Sequence, residues 1–207
     1  SFCVVSDRAN LARILHGALA SVEEHIDSVH ERSVHALEIL AENGLSPTSI
    51  LRLCAEHALG RRLRDAIERI ATAGGATAEQ AASVDALLAE ARRQGIAIRT
   101  GEATAILAGV AMNQIERWAS GLSLASLENT QSLVRFGRER RIAVETVAGV
   151  QEAFWRFTLG PARAAIAASP DGQDAAGRGR LVARLVELGQ DLGFALGALW
   201  TLRELAR

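Results

Sequence analysis

The chain has 207 residues, 49% hydrophobic and 23% charged, with a formal net charge of −1. That length can bury a sizeable core, and the small net charge excludes a global field that would draw the protein to nucleic acid or anionic lipid. Two cysteines and no apolar run long enough to span a bilayer predict a cytoplasmic protein without a membrane segment. An alanine-rich sequence with no lysine indicates a bacterial source.

The first predicted helix covers residues 7–43 and contains no proline. Its apolar residues recur three or four positions apart, the spacing of one helix face. A helix of about 50 Å is longer than a small domain needs, so we expect it either to break near Ser21 or to project and pair with a second copy as a coiled coil. Leu15, Val22 and Val29 are the predicted interface residues of this helix. The complete face is Leu11, Leu15, Ala18, Val22, Ile26, Val29, Ala36 and Leu40.

Turn signals divide the middle of the chain into further helices. Asn43-Gly44 predicts a helix end, Ser46-Pro47 a start, and the stretch Thr77 to Gln80 a capping box. On the second helix we expect the apolar residues to face inward, namely Ile50, Leu53, Leu59, Leu63, Ile67 and Ile70. The predicted helices are 47–73, 77–94, 100–121, one from Ser123 or Ser126 to Arg141, and one beginning at Val144 and running through Phe157.

The last predicted helix runs from about Asp174 towards the C-terminus, after a turn at Ser169 to Gly172. It carries a leucine seam and a second line of small residues four apart, formed by Gly189, Gly193 and Gly197. Small residues at this spacing allow close approach between helices. We therefore expect this helix to be central to the fold or shared with a second subunit, with these three glycines as candidate residues of the dimer interface.

Nothing in the sequence alternates with period two for long enough to form a strand, so the predicted fold class is all-α. We expect a single domain over residues 1–207, a bundle of six to eight helices. A weak similarity between residues 44–67 and 141–166 leaves two related helical halves open, beside a globin-like arrangement.

The histidines do not form a metal site in the sequence. His30 and His35 are five apart and diverge on a helix, whereas a zinc protease motif requires a spacing of four. We expect both on a solvated or dimer-facing surface. His57 follows an apolar stripe and is predicted to face partly inward, where a lone histidine could hold haem. No nucleophile–base arrangement or phosphate-binding loop can be assembled, so no catalytic residue is predicted.

The stretch RFGRERRIAVETVAGVQEAFWRF, residues 135–157, combines arginines with aromatic residues. Arginines at a helix end bond its free carbonyls and interact favourably with its negative pole. We therefore predict capping and ion pairs with Glu139 and Glu145, and no nucleic-acid interface. Phe154 and Phe157 continue a stripe with core spacing. The candidate pocket residues of the whole chain are His57, Trp118, Phe154, Trp155 and Phe157.

This stretch also resembles a known type of domain. The run from Leu133 to Arg140, LVRFGRER, is followed by apolar positions that end in Ala153-Phe154-Trp155. The pattern is similar to the helical N-terminal input domains of bacterial regulators, those of PucR-type transcription factors and RsbR-type stressosome proteins. Such domains usually carry Ala-Tyr-Arg where this chain has Ala153-Phe154-Trp155-Arg156. The resemblance implies an all-helical dimeric sensory domain without catalysis.

Together these observations predict a non-enzymatic signal-input domain of a cytoplasmic bacterial regulator. It would form a homodimer and pass a signal to a C-terminal output domain, and its effector would be a small apolar molecule or a partner protein. No cofactor is predicted. The alternatives are a haem-binding globin-like sensor that uses His57, and a helical enzyme or lipid carrier with a buried cavity.

Overall fold

A computed structural model describes residues 2–121, 124–158, 160, 164 and 175–195. These residues form seven α-helices and a short 3-10 helix, with no strand among them, which confirms the all-α prediction. The turn predicted at Ser169 to Gly172 lies outside the described residues. The helices are α1 Phe2–Glu42, α2 Ser49–Ala73, α3 Ala78–Arg93, α4 Gly101–Gly121, α5 Leu124–Glu139, α6 Ala148–Phe157 and α7 Ala175–Asp191, and the 3-10 helix is Val144–Thr146.

The early helix boundaries follow the turn signals. α1 is continuous over its whole length, so the break considered near Ser21 does not occur. It ends at Asn43-Gly44, where the amide of Leu45 donates to the carbonyl of Leu40 at 2.8 Å. The predicted capping box is also present: the amide of Thr77 donates to Gln80 Oε1 at 2.9 Å, and the amide of Gln80 to Thr77 Oγ1 at 3.2 Å.

The Cα positions group into two compact units. The first comprises the residues up to Leu63 together with Ala86–Arg99, and the second comprises Arg64–Asp85 together with the described residues from Thr100 onward. Both α2 and α3 therefore contribute residues to each unit. The two units are not successive halves of the chain, and the single domain over 1–207 stays a prediction.

In the first unit, the C-terminal half of α1 packs with parts of α2 and α3. Arg93 pairs with Glu38 at 3.3 Å and Arg62 with Glu90 at 3.1 Å. Asp27 of α1 pairs with Arg61 of α2. The buried apolar residues are Leu37, Ala55, Ala58, Leu59, Leu63, Leu87, Ala91 and Ile96.

Burial on the first two helices differs from the predicted pattern. Ile50 is 73% exposed and Leu53 58% exposed, so their predicted inward position is wrong, whereas Leu59 and Leu63 are buried as expected. Burial on α2 starts only at Ala55, since the described residues do not cover its first turn and a half. Periodicity identifies the apolar face of a helix, but where along the helix that face is covered depends on the neighbouring elements.

The second unit is built around α4, which contacts α5 and α6, while α5 also contacts α7. Gln114 of α4 links three segments: its Nε2 donates to the carbonyl of Gly74 at 3.1 Å, and its Oε1 accepts from Thr130 Oγ1 at 3.2 Å. The core here is formed by large apolar side chains, among them Ile67, Ile70, Leu107, Ile115, Trp118, Leu133, Phe154, Leu185 and Leu188.

The turn between α5 and α6 is closed by backbone hydrogen bonds. The amide of Ile142 donates to the carbonyl of Gly137 at 2.8 Å, and that of Arg141 to the carbonyl of Arg138 at 3.1 Å. These bonds are those of a Schellman helix end, whose C′ residue is left-handed. Here that residue is Arg141, with φ of 59°. The returning chain then forms the 3-10 helix at Val144–Thr146, so α6 starts at Ala148 and not at Val144 as predicted.

Arg141→Gly is expected to raise the free energy of unfolding by about 0.5–1 kcal/mol, because a left-handed non-glycine residue is strained by its Cβ. Ser132→Gly, at an exposed interior position of α5, is the control and should lower the free energy of unfolding by about 0.5 kcal/mol. Urea denaturation measures both changes. A loss of stability in Arg141→Gly would contradict the left-handed conformation of this residue.

α7 ends well before the predicted last helix does. The amide of Phe194 donates to the carbonyl of Gly189 at 2.9 Å, and that of Gly193 to the carbonyl of Gln190 at 3.0 Å. Gly193 has φ of +84°, which ends the helix because glycine adopts this conformation without a Cβ clash. Gly189 is buried within the helix, Gly193 terminates it, and Gly197 lies outside the described residues. The predicted line of three glycines on one helix face is therefore wrong.

Candidate functional site

The N-terminal half of α1 presents an apolar face that the described residues leave uncovered. Every residue from Asn10 to Val22 is exposed. Leu15 is 54% exposed and Val22 55% exposed, and Val29 is also exposed, so the three predicted interface residues of α1 are accessible. Leu11 lies on the same predicted face. Two further exposed residues, Ile14 and Leu19, widen the face beyond the predicted stripe.

The buried side of α1 is a different one, and it is partly polar. His30 is 2% exposed, and its Nε2–H donates to Oε1 of the buried Gln94 at 2.9 Å. The Gln94 amide in turn donates to Glu90 at 3.2 Å, and Ser33 Oγ donates to the His30 carbonyl at 3.0 Å. His30 is thus a hydrogen-bonded core residue and does not lie on the solvated surface predicted for it. His35 is exposed as expected.

His57 lies on an exposed part of α2 in the first unit, which corrects the prediction that it faces partly inward. The residues from Cys54 to Ala58 show the helical alternation clearly, with Ala55 and Ala58 buried and His57 between them exposed. The other candidate pocket residues all belong to the second unit, on α4 and α6. His57 and these aromatic residues are therefore not brought together within one unit.

The aromatic residues of the second unit form two clusters. The rings of Trp118 and Phe157 pack with their centroids 3.9 Å apart, and both side chains are buried. Phe154 and Trp155 both contact Phe194, at centroid distances of 5.5 Å and 5.7 Å. Phe194 was not among the predicted site residues. It directly follows the glycine that ends α7, and that local cap was the signal that could have identified it.

A cavity of about 360 Å³ lies between α4 and α6, and we call it the α4–α6 cavity. One predicted pocket residue, Phe157, lines it. The other lining residues were not predicted, because they look like ordinary positions of two amphipathic helices. The apolar lining is Met112, Ile115, Gly149, Ala153 and Phe157, and charged side chains complete it with Glu116, Glu152 and Arg156.

Among the described residues, three of the four arginines within residues 135–141 form ion pairs. Arg135 Nε donates to Asp191 at 2.7 Å, and Arg138 reaches the same carboxylate at 3.5 Å. Arg140 pairs with Asp85 at 2.8 Å, and its guanidinium lies 4.2 Å from the centre of the Phe136 ring. The predicted use of these arginines in ion pairs is confirmed, although their main acidic partners come from α3 and α7.

Of the two predicted partners, one forms an ion pair. Glu139 pairs with Arg140 at 3.2 Å, and Arg140 also donates to the carbonyl of Phe136, which is the predicted capping contact. Glu145 instead keeps a buried carboxylate oxygen without a hydrogen-bond partner among the described residues.

A second cleft of about 590 Å³ borders these arginines, between the start of α3, α5 and Arg184 of α7. Arg184 donates to Glu187 at 3.0 Å, so positive and negative side chains neutralise each other along its edge. The hydrogen bond from Gln131 is the main cause that lowers the pKa of Glu187, and the nearby Arg184 and Arg135 act in the same direction. This balance gives the cleft the character of an interhelical salt-bridge network.

Within the part of the chain that the structure describes, no group of three or more histidine, cysteine, aspartate or glutamate side chains is placed to hold a metal ion. The described helices also include none that combines the length and apolarity needed to cross a membrane. Comparison with known proteins gives no match for this chain among protein-family models, curated proteins or solved structures.

Proposed function

We propose that this chain is a non-enzymatic signal-input domain of a cytoplasmic bacterial regulator, and that it forms a homodimer through the N-terminal half of α1. The uncovered apolar face of that helix carries the proposal. The resemblance of residues 133–156 to the input domains of PucR-type and RsbR-type regulators supports it. In this role the domain passes a ligand-dependent signal to an output domain C-terminal to it.

The energetics of the α1 face favour a second copy as its occupant. This face continues past the middle of the helix to Val29. Its large apolar residues are each between 40% and 63% exposed, which together amounts to roughly three fully exposed side chains; they are Leu11, Ile14, Leu15, Leu19, Val22 and Val29. Burying them in two copies would contribute on the order of 10–20 kcal/mol at ~1.5–3 kcal/mol per side chain. Association costs ~4–15 kcal/mol in lost freedom, so the face is sufficient for a dimer of moderate affinity.

The spacing of this face also fits helix pairing. Leu15, Val22 and Val29 are seven residues apart, the repeat that keeps one seam of a helix against its partner in a coiled coil. Leu11 and Ala18 fall at the intermediate positions of the same seam. A solitary helix with this face in water would leave a long apolar patch of the kind that marks interaction sites.

The direct test is sedimentation equilibrium of the 207-residue chain at micromolar concentration. We expect a mass of twice the 22.0 kDa of one chain. A strict monomer over the whole concentration range would contradict the proposed dimer.

Val22→Glu is expected to weaken the dimer at least about tenfold. Each of the two copies would then bury an unpaired carboxylate in the apolar interface. Ala20→Glu is the matched control, since Ala20 is also exposed but lies on the opposite side of α1. It should leave the dissociation constant nearly unchanged. Equal weakening by the two substitutions would show that general charge repulsion, and not this face, controls association.

Nothing at His57 favours the haem alternative. The side chain is exposed on α2 in the first unit, whereas a haem ligand needs an apolar pocket around the iron.

A further inference from the structure

We propose that the α4–α6 cavity binds a small aromatic amine, with the ring on its apolar lining and the ammonium group beside Glu116. The inference deepens the proposed input function by naming a ligand class. It does not depend on dimerisation through α1.

The size and lining of the cavity fit a small aromatic ring. Its volume of about 360 Å³ is at the lower end of the ~300–1,000 Å³ range of small-molecule sites. Met112 and Phe157 both line it, and a thioether and a phenyl ring are favourable neighbours of an aromatic ligand. The small side chain of Ala153 leaves space on the α6 side of the cavity. At Gly149 the thioether of Met112 lies close to the backbone, since a Cβ there would be 3.1 Å from Met112 Sδ.

The charges at the cavity favour a cation. Arg156 pairs with Glu152 at 2.5 Å, so these two side chains compensate each other. Glu116 also lines the cavity, and no ion pair connects it to any residue that the structure describes. The three charged lining residues therefore carry a surplus carboxylate. An ammonium group would complement it, whereas a carboxylate ligand would be repelled.

α6 connects this cavity to the end of α7, so binding in the cavity can affect that helix. Gln151, on the same helix, donates to the carbonyl of Leu192 at 2.9 Å and to the carbonyl of Glu145 at 2.9 Å. Phe154 and Trp155 contact Phe194, just beyond the end of α7. A ligand that binds better to one position of α6 than to another would thus shift the contacts that hold the end of α7.

The test is a calorimetric titration with three probes of similar shape: 2-phenylethylamine, 2-phenylethanol and 3-phenylpropionate. Because Glu116 is exposed, we expect the amine to bind about two- to fivefold more tightly than the neutral alcohol and the carboxylate to bind most weakly. Equal affinity for the three probes, or no binding of the amine at millimolar concentration, would overturn the proposal.

Two substitutions locate the site. Glu116→Gln should bring the amine and the alcohol to nearly equal affinity, whereas Glu102→Gln, at the other carboxylate of α4, should keep the preference for the amine. Ala153→Phe, which fills the cavity, should weaken amine binding at least tenfold; Ala153→Leu is the smaller alternative if the larger side chain prevents folding. A preference that survives Glu116→Gln would overturn the assignment of the ammonium position.

The same titration with Val22→Glu separates this proposal from the dimer. Binding that persists in this variant would support the cavity assignment independently of α1. Loss of binding in Val22→Glu, with the helix content unchanged, would contradict a ligand site contained in the second unit.

Discussion

Trp118→Ala is expected to lower the free energy of unfolding by about 3–5 kcal/mol, the largest effect of a single substitution that we predict. Trp118 is 1% exposed and packs against Phe157 with ring centroids 3.9 Å apart. Removing the indole would leave a void at the junction of α4 and α6 that the surrounding close-packed helices cannot fill completely. Denaturant unfolding followed by circular dichroism measures the change.

Trp118→Phe is the informative control. The indole Nε1 is buried and has no hydrogen-bond partner among the described residues, so the wild-type side chain already carries the cost of an unsatisfied donor. Phenylalanine removes that donor and keeps most of the ring contact, and we expect a loss below about 1.5 kcal/mol. Similar losses for alanine and phenylalanine would contradict this view, because they would show that the indole nitrogen contributes a favourable interaction.

Gly137→Ala is expected to cost about 2–3 kcal/mol, because the turn after α5 leaves no room for a methyl group. A Cβ at this position would lie 2.7 Å from the carbonyl oxygen of Ile142 and 2.9 Å from Cγ2 of Val144. The first of these atoms is backbone, so relief requires the returning chain to move. That movement would also stretch the hydrogen bond from Ile142 to the Gly137 carbonyl.

Gly109→Ala is the matched control on α4. A Cβ there meets no atom within 4 Å, so the substitution should raise the free energy of unfolding by about 0.5–1 kcal/mol through the better helix propensity of alanine. The two glycine-to-alanine changes are therefore expected to have opposite signs in the same urea experiment. A stabilising Gly137→Ala would mean that α5 and the returning chain are farther apart than described.

Helix ends were predictable where their signals are local. Asn43-Gly44 ends α1 and the Thr77 to Gln80 capping box starts α3, because these residues satisfy free backbone groups within a few positions of themselves. The end of α5 is also closed by local backbone hydrogen bonds, but its sequence carries a weaker signal. Its left-handed residue is Arg141, where glycine would be the usual signal.

The candidate sites were predictable only in part. Leu15, Val22 and Val29 were identified by spacing and are exposed on α1, and Phe157 was identified by its stripe and lines the α4–α6 cavity. The cavity itself could not be predicted, since Met112 and Gly149 come together from two helices that are far apart in sequence. Glu116 looked like a surface carboxylate, and only its position beside this cavity gives it a proposed role.

The sequence by itself determined the fold class, most helix boundaries and the apolar faces, because hydrogen bonding and side-chain periodicity within a helix are set by neighbouring residues. Tertiary structure decided which parts of those faces are covered. It left Ile50 and Leu53 in solvent and buried the polar His30 against Gln94. Burial and cavities depend on residues brought together from distant positions, and helical periodicity contains no information about which helices meet.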